Sequence, residues 1–282
     1  MVFDSRPVPN EAEAAAIQEM QHLLSSDESP VLVPPADGPA LDSPARLLRF
    51  VRGYGCKPTD AANAFRHMLA YRAAHRLEAA RAEMYAASSA DGQPLWPIEL
   101  PRFKPIVDLI GDGLARRIGE SACGNPATLV LLHHYDLRRV IQAGLTALLV
   151  NLQQYLDEWW SIELDVRSAA AGKLLARDDI IYVAKIGLFQ FDLACARVFS
   201  QALAGAKHYP ETVAHIMSTG NGKALVAMYN AVIRPFMPQH TKEKILVLGK
   251  DLNAPSIRDG LDLDEATMQR LLEATGWGIG QP

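Results

Sequence analysis

The chain has 282 residues, 49% of them hydrophobic and 21% charged, with a formal net charge of −4. Those proportions belong to a chain that can bury a sizeable core and exclude a disordered one, while the slight negative charge excludes a protein-wide basic field for nucleic acid. Three cysteines (Cys56, Cys123, Cys195) with no close pair exclude a disulfide framework or a Cys-rich zinc site, and no apolar run reaches the roughly 18–20 residues that span a bilayer.

Residues 10–25 follow a helical spacing with Ile17, Met20, Leu23 and Leu24 on one side, and the stretch 10–28 holds five acids and no Lys or Arg. The opening MVFDSRPVPNEAEAAA lacks the charged-then-apolar layout of a secretion signal, so a cytoplasmic, reduced protein is expected. SPVLVPPADGPALDSP then carries five prolines in sixteen residues, a density that neither helix nor strand tolerates. Residues 1–42 therefore read as an acidic helix and a proline-rich linker. Ser43 can cap and Pro44 suits a first turn, so ARLLRFVR begins a helix that Gly53 and Gly55 end. A second helix starts near Pro58-Thr59-Asp60 and runs to about His75, with Ala61, Ala64, Phe65, Met68, Leu69 and Arg72 at three- and four-residue spacing. Residues 77–87 keep the helical pattern and complete a small helical domain over 43–92.

Beyond ADGQPLWPIELP the period changes. Strands are expected at 128–137, 179–188, 212–219 and 244–249, alternating with helices over 139–164, 195–206, 223–238 and 263–275. Short apolar strands separated by helices imply right-handed crossovers and a largely parallel sheet, hence an α/β domain over 93–282. The helix KALVAMYNAVIRPFMP is unusual, because Ala224 to Ile233 carries no charge on any side. Ten residues cover only about 15 Å, half a hydrocarbon core, so such a helix is either buried or lipid-facing without spanning.

Motifs for catalysis or nucleotide binding fail on inspection. STGNGKAL resembles the end of a phosphate loop, yet Ser218 stands where a glycine is required and Ala224 where Ser or Thr is required. IGDGLARRIG lacks the third glycine of a dinucleotide turn, and GESACG misses the nucleophile-elbow spacing by one residue. His133 and His134, adjacent in a strand, would point to opposite faces and could not assist each other. Trp159-Trp160 reads as helix packing, and Asp178-Asp179 as the end of a helix-to-strand connection. No metal ligand set and no catalytic group is expected.

Two separated stretches and a third between them carry a family resemblance. PARLLRFVRGYGCKPTDAANAFRHMLAYRAAHRL resembles the helical N-terminal domain of the CRAL-TRIO lipid-transfer family, with Leu47, Leu48, Arg49, Phe50 and Arg52 matching and Tyr71-Arg72 as the closing pair. HYPETVAHIMSTGNGKALVAMYNAVIRPFMPQHTKEKILVLGKD is similar to the family's central segment, placing Tyr209, Pro210, Glu211, Pro235, Phe236, Lys244 and Gly249 as expected and Arg234 where the family has lysine. GNPATLVLLHHYDL resembles the first strand. The likeness covers about residues 43–275.

That resemblance implies a helical N-terminal domain followed by a mostly parallel sheet with flanking helices, enclosing an apolar lipid pocket behind a mobile gate helix at about 221–236. It implies a non-catalytic carrier of one lipid, with no cofactor other than the lipid itself: a phospholipid, a phosphoinositide or another hydrophobic small molecule. The pocket and gate residues are then Tyr182, Ala184, Leu188, Phe189, Phe191, Leu225, Met228, Tyr229, Val232 and Phe236, with Tyr209, Glu211 and Arg234 as headgroup contacts. Lys242 and Lys244 fall where they would touch an anionic membrane surface, at about 1 kcal/mol each. A peripheral, transient membrane association and a monomer are expected, with no nucleic-acid partner. Two departures lower the case for inositol lipids. The basic pair after the LLRF motif reads Tyr54-Gly55, and the strand that usually carries Asp-Leu-Lys-Gly reads Val183-Ala184-Lys185-Ile186 with GLFQF after it. A more apolar ligand is favoured. Two alternatives stand beside this reading: a lipid-sensing or docking module that meets a protein partner through residues 10–25, and a nucleotide-binding α/β enzyme using Gly220-Asn221-Gly222-Lys223.

Overall fold

The computed structural model describes residues 9–25, 38–88, 92–183, 193–221, 226, 230, 239–249 and 261–275. Four helices come first: α1 (Glu11–Ser25), α2 (Pro44–Gly53), α3 (Pro58–Ala74) and α4 (Leu77–Ala86). Ser43 caps α2 as its sequence position suggests, its side chain accepting from the Arg46 amide, with Pro44 in the first turn. The acidic face of α1 is partly turned inward. Glu13 is buried and binds Arg52 at 2.9 Å, while Ala16 and Met20 pack into the core against α2 and α3.

After α5 (Lys104–Ile110) come five strands, β1 (Arg116–Glu120), β2 (Pro126–Leu131), β3 (Arg177–Tyr182), β4 (Val213–Asn221) and β5 (Ile245–Gly249), in sheet order β1-β2-β3-β4-β5. β2 to β5 are parallel, and β1 is an antiparallel edge hairpinned to β2. Helices α6 (Leu137–Gln142) and α7 (Thr146–Ala171) cross from β2 to β3, and α8 (Leu193–Leu203) lies between β3 and β4. Parallel neighbours need such crossovers, so the alternation in sequence translates into this sheet. A helix over Glu265–Thr275 closes the described chain, and its Thr267 sits so tightly on β1 that a Cβ at Gly119 would lie 1.9 Å from Thr267 Oγ1.

Several elements differ from the sequence reading. The single helix over 139–164 is two helices, because Gly144 takes φ +68° and turns the chain between α6 and α7. The strand over 128–137 stops at Leu131, and a 3₁₀ turn over Leu132–His134 follows. His133 and His134 therefore do not point to opposite faces of a strand; their rings tilt together with centroids 4.0 Å apart. β1 has no counterpart among the expected strands, since RRIGE offers one large apolar residue and no alternation. Of the expected gate, only Asn221, Val226 and Asn230 are described, and the rest lies outside the described residues, as does 184–188 of the second expected strand.

Two cores flank the sheet. One is continuous from α1 through α8, including Leu47, Phe65, Met68, Phe103, Trp160 and Cys195. The other packs alternate residues of the strands, Leu129, Leu131, Ile180, Tyr182 and Met217, against Leu263, Met268 and Leu271. Among the described residues no helix is long and apolar enough to cross a membrane.

Candidate functional site

On the α7–α8 side of the sheet the strands present the opposite alternate set: Thr128 and Val130 of β2, Arg177, Asp179 and Ile181 of β3, and Val213 and Ile216 of β4. Val213 and Ile216 share this face although they are three residues apart, because the register slips between Val213 and His215. With Leu156 and Trp160 of α7 and Phe199 of α8, these side chains enclose a cavity of about 330 Å³. The wall is chiefly apolar, with one polar rung. Thr128 Oγ1 donates to Asp179 Oδ1 at 2.6 Å, and Arg177 Nε donates to both Asp179 oxygens at 3.0 Å. The Arg177 guanidinium lies 5.4 Å from the Trp160 ring centroid. Gln153 completes the rung from α7 and gives its amide to Asp157 at 2.9 Å.

Asp157 sits one helical turn beyond Gln153, buried, with Oδ2 lacking any partner. Burial pushes its carboxyl up to about 7, opposed by the Gln153 hydrogen bond and the Arg177 charge. Behind it the helices are joined by buried ions. Arg46 Nε meets Asp165 Oδ2 at 2.7 Å and Arg49 Nε meets Asp165 Oδ1 at 3.2 Å. Arg49 also donates to the carbonyls of Glu211 (2.6 Å) and Leu175 (2.7 Å) and to Ser168 Oγ (3.1 Å). Glu158, fully buried, accepts from Arg72 and from the Tyr209 hydroxyl at 3.0 Å.

The residues singled out from sequence scatter over this geometry. Tyr182 is buried on the opposite face, in the core against the C-terminal helix, and makes an edge contact with His133 at 5.6 Å; it does not line the cavity. Tyr209 belongs to the buried Glu158 cluster, where burial and that carboxylate hold its hydroxyl well above its ordinary pKa. Glu211 takes φ +53° and its carboxylate accepts from Lys244 at 3.1 Å, so one expected headgroup contact and one expected membrane contact are joined as a pair. Lys242 is half-buried on the short helix Gln239–Lys244. Ala184, Leu188, Phe189, Phe191, Leu225, Met228, Tyr229, Val232, Arg234 and Phe236 lie outside the described residues.

Thr128, Gln153, Arg177 and Asp179 are the cavity's polar residues, and none was singled out for the site from sequence. A signal existed for two of them. In RDDIIY, alternation places Arg177, Asp179 and Ile181 on one face and Asp178, Ile180 and Tyr182 on the other. Asp178 then meets His215 Nδ1 at 2.7 Å away from the cavity. The Asp178-Asp179 pair is thus split between the two faces of a strand and does not end a loop. Among the described residues no three His, Cys, Asp or Glu side chains are grouped to hold a metal ion.

No family model matches the chain, and no curated protein matches it in sequence. A solved structure does: the crystal structure of Sfh5 superposes with a TM-score of 0.53 at 12% identity, covering 93% of this chain and 85% of that one. The likeness shows the fold, a helical part with a mostly parallel, helix-flanked sheet of the Sec14-like kind, which is the architecture that the CRAL-TRIO resemblance implies.

Proposed function

We propose that the chain is a CRAL-TRIO protein that binds one lipid in the cavity between the sheet and helices α7 and α8, without catalysing a reaction on it, and carries it between membranes. The observation that supports this best is an apolar-walled cavity on the sheet of a Sec14-like fold. Extracting a two-chain lipid exposes on the order of 30 methylenes, roughly 24 kcal/mol at about 0.8 each. Only a continuous apolar wall can offset that, and Val130, Leu156, Trp160, Ile181, Phe199 and Ile216 form one. The gate is assigned to residues 221–236, whose charge-free centre can sit on lipid when closed and on membrane when open. Lys242 and Lys244, just after it, are the membrane contacts, and the protein acts as a monomer that associates peripherally with a cytoplasmic membrane face.

Native mass spectrometry of the purified protein, followed by lipid extraction, is the direct test, with a bound lipid of discrete mass expected. Met228→Asp or Val232→Asp charges the gate and should abolish transfer between liposomes while the far-UV spectrum is kept. Unchanged transfer in both variants overturns the gate assignment. A protein that carries no lipid and takes none from vesicles overturns the function.

A further inference from the structure

Resting on the reading of the α7–α8 cavity as a lipid site, we propose that its polar rung selects a lipid whose head is a neutral hydroxyl over one whose head is an anion. The rung is built from three elements: Thr128 on β2, Arg177 and Asp179 on β3, and Gln153 on α7. Its hydrogen-bonding groups are only partly used. Asp179 accepts from Thr128 at 2.6 Å and twice from Arg177 Nε at 3.0 Å. The terminal nitrogens of Arg177 donate to no described residue, although the guanidinium plane is held at 5.4 Å from Trp160. Gln153 spends its amide hydrogens toward Asp157, and its Oε1 receives no donor from any described residue.

The cavity wall therefore carries fixed N–H donors from Arg177 and a carbonyl acceptor from Gln153. A hydroxyl is the small head that uses both, accepting from one and donating to the other. An ionised carboxylate or phosphate can only accept, so it leaves the Gln153 oxygen facing a second acceptor. Charge points the same way. Arg177 and Asp179 sum to zero, and the neighbouring acid is Asp157, so an anion entering the cavity is desolvated without gaining a net cation. An ammonium head can only donate and would face the Arg177 donors.

Size sets the scale of ligand that the described walls surround. A cavity of 150 Å³ holds benzene, about 25 Å³ per carbon, so 330 Å³ holds roughly a dozen non-hydrogen atoms. That is a head with one short chain, or one end of a longer or polycyclic alcohol.

The test uses three probes with one tail: 1-dodecanol, dodecanoate and dodecylamine, each displacing a fluorescent apolar reporter from the full-length protein at mildly alkaline pH. Dodecanol is expected to bind about tenfold or more tighter than either ion, the discrimination typical of a buried group left with the wrong partner. In Asp179→Asn the side chain can still accept from Thr128, but the Arg177 charge is released, and dodecanoate should then gain about tenfold over dodecanol. Dodecanoate binding as tightly as dodecanol to the unmodified protein overturns the inference and leaves the lipid reading intact. Displacement by none of the three overturns the lipid reading, and the inference with it.

Discussion

Asp157→Asn should make the protein more stable at neutral and alkaline pH and leave it nearly unchanged in mild acid. In the folded chain Asp157 is 5% exposed and has one hydrogen bond, from Gln153, with Oδ2 unpartnered. Its carboxyl is pushed by burial from an ordinary 3.8 up to about 7. Between those values the native state holds a proton that the unfolded chain has released, so native stability falls as pH rises through that window. Above about 7 the penalty is complete, and below about 4 it vanishes. At about 1.4 kcal/mol per pKa unit, a gap of roughly three units corresponds to about 4 kcal/mol as an upper figure, and water reaching the group reduces it. A loss of about 2–4 kcal/mol is therefore the working expectation. Asparagine keeps the shape and the acceptor for Gln153 and carries no charge at any pH. Urea unfolding followed by tryptophan fluorescence at a pH near 4.5 and again near 8 measures the difference. The variant should gain about 2–4 kcal/mol over the unmodified protein at the higher pH and little at the lower. An equal effect of the substitution at both values would show that Asp157 is ionised throughout and refute the reasoning.

Tyr209→Phe removes a hydroxyl bonded to the buried Glu158 and should lower stability by about 1–3 kcal/mol while leaving displacement of an apolar reporter unchanged. Weaker ligand binding at unaltered stability would instead place Tyr209 at the ligand. Arg49→Lys retains the charge but loses the fork that reaches Asp165, Ser168 and the carbonyls of Glu211 and Leu175. A loss of about 3–5 kcal/mol by chemical denaturation is expected, and a loss under about 1 kcal/mol would mean that a lysine with water replaces the fork.

Much of the fold was legible because local chemistry and tertiary packing agree. Ser43-Pro44 announces α2, and apolar runs of the right length announce β4 and β5. The misses have physical causes. The hydrophobic spacing runs on through Ala143-Gly144-Leu145, so periodicity alone joins α6 to α7, and only the left-handed turn at Gly144 separates them. β1 is held by pairing with β2 and by Thr267 from a distant helix, neither of which is visible in RRIGE. The site was less legible than the fold. Alternation says which residues of β3 share a face but not which face is covered by α7, so Tyr182 was assigned to the cavity that Arg177, Asp179 and Ile181 in fact line. Tyr209 and Glu211 sit together in sequence, yet one is committed to Glu158 and the other to Lys244.

The buried ions behind α7 and the cavity in front of it are parts of one arrangement. α7 is buried along most of its length, so its sequence carries two sets of contacts on one cylinder. Gln153, Leu156 and Trp160, spaced three and four apart, meet the cavity. Glu158 and Asp165, seven apart, meet the arginines of α2 and α3. A helix apolar on every side could turn or slide against its neighbours at modest cost, because hydrophobic contact has no direction. Here a rotation that moved Gln153 out of the cavity would also leave two buried carboxylates and the guanidinium groups of Arg46, Arg49 and Arg72 unpaired, at several kcal/mol for each broken pair. The ion pairs need not add net stability to have this effect. It is the penalty of losing them that fixes the rotation of α7, and with it the position of the polar rung that faces the ligand.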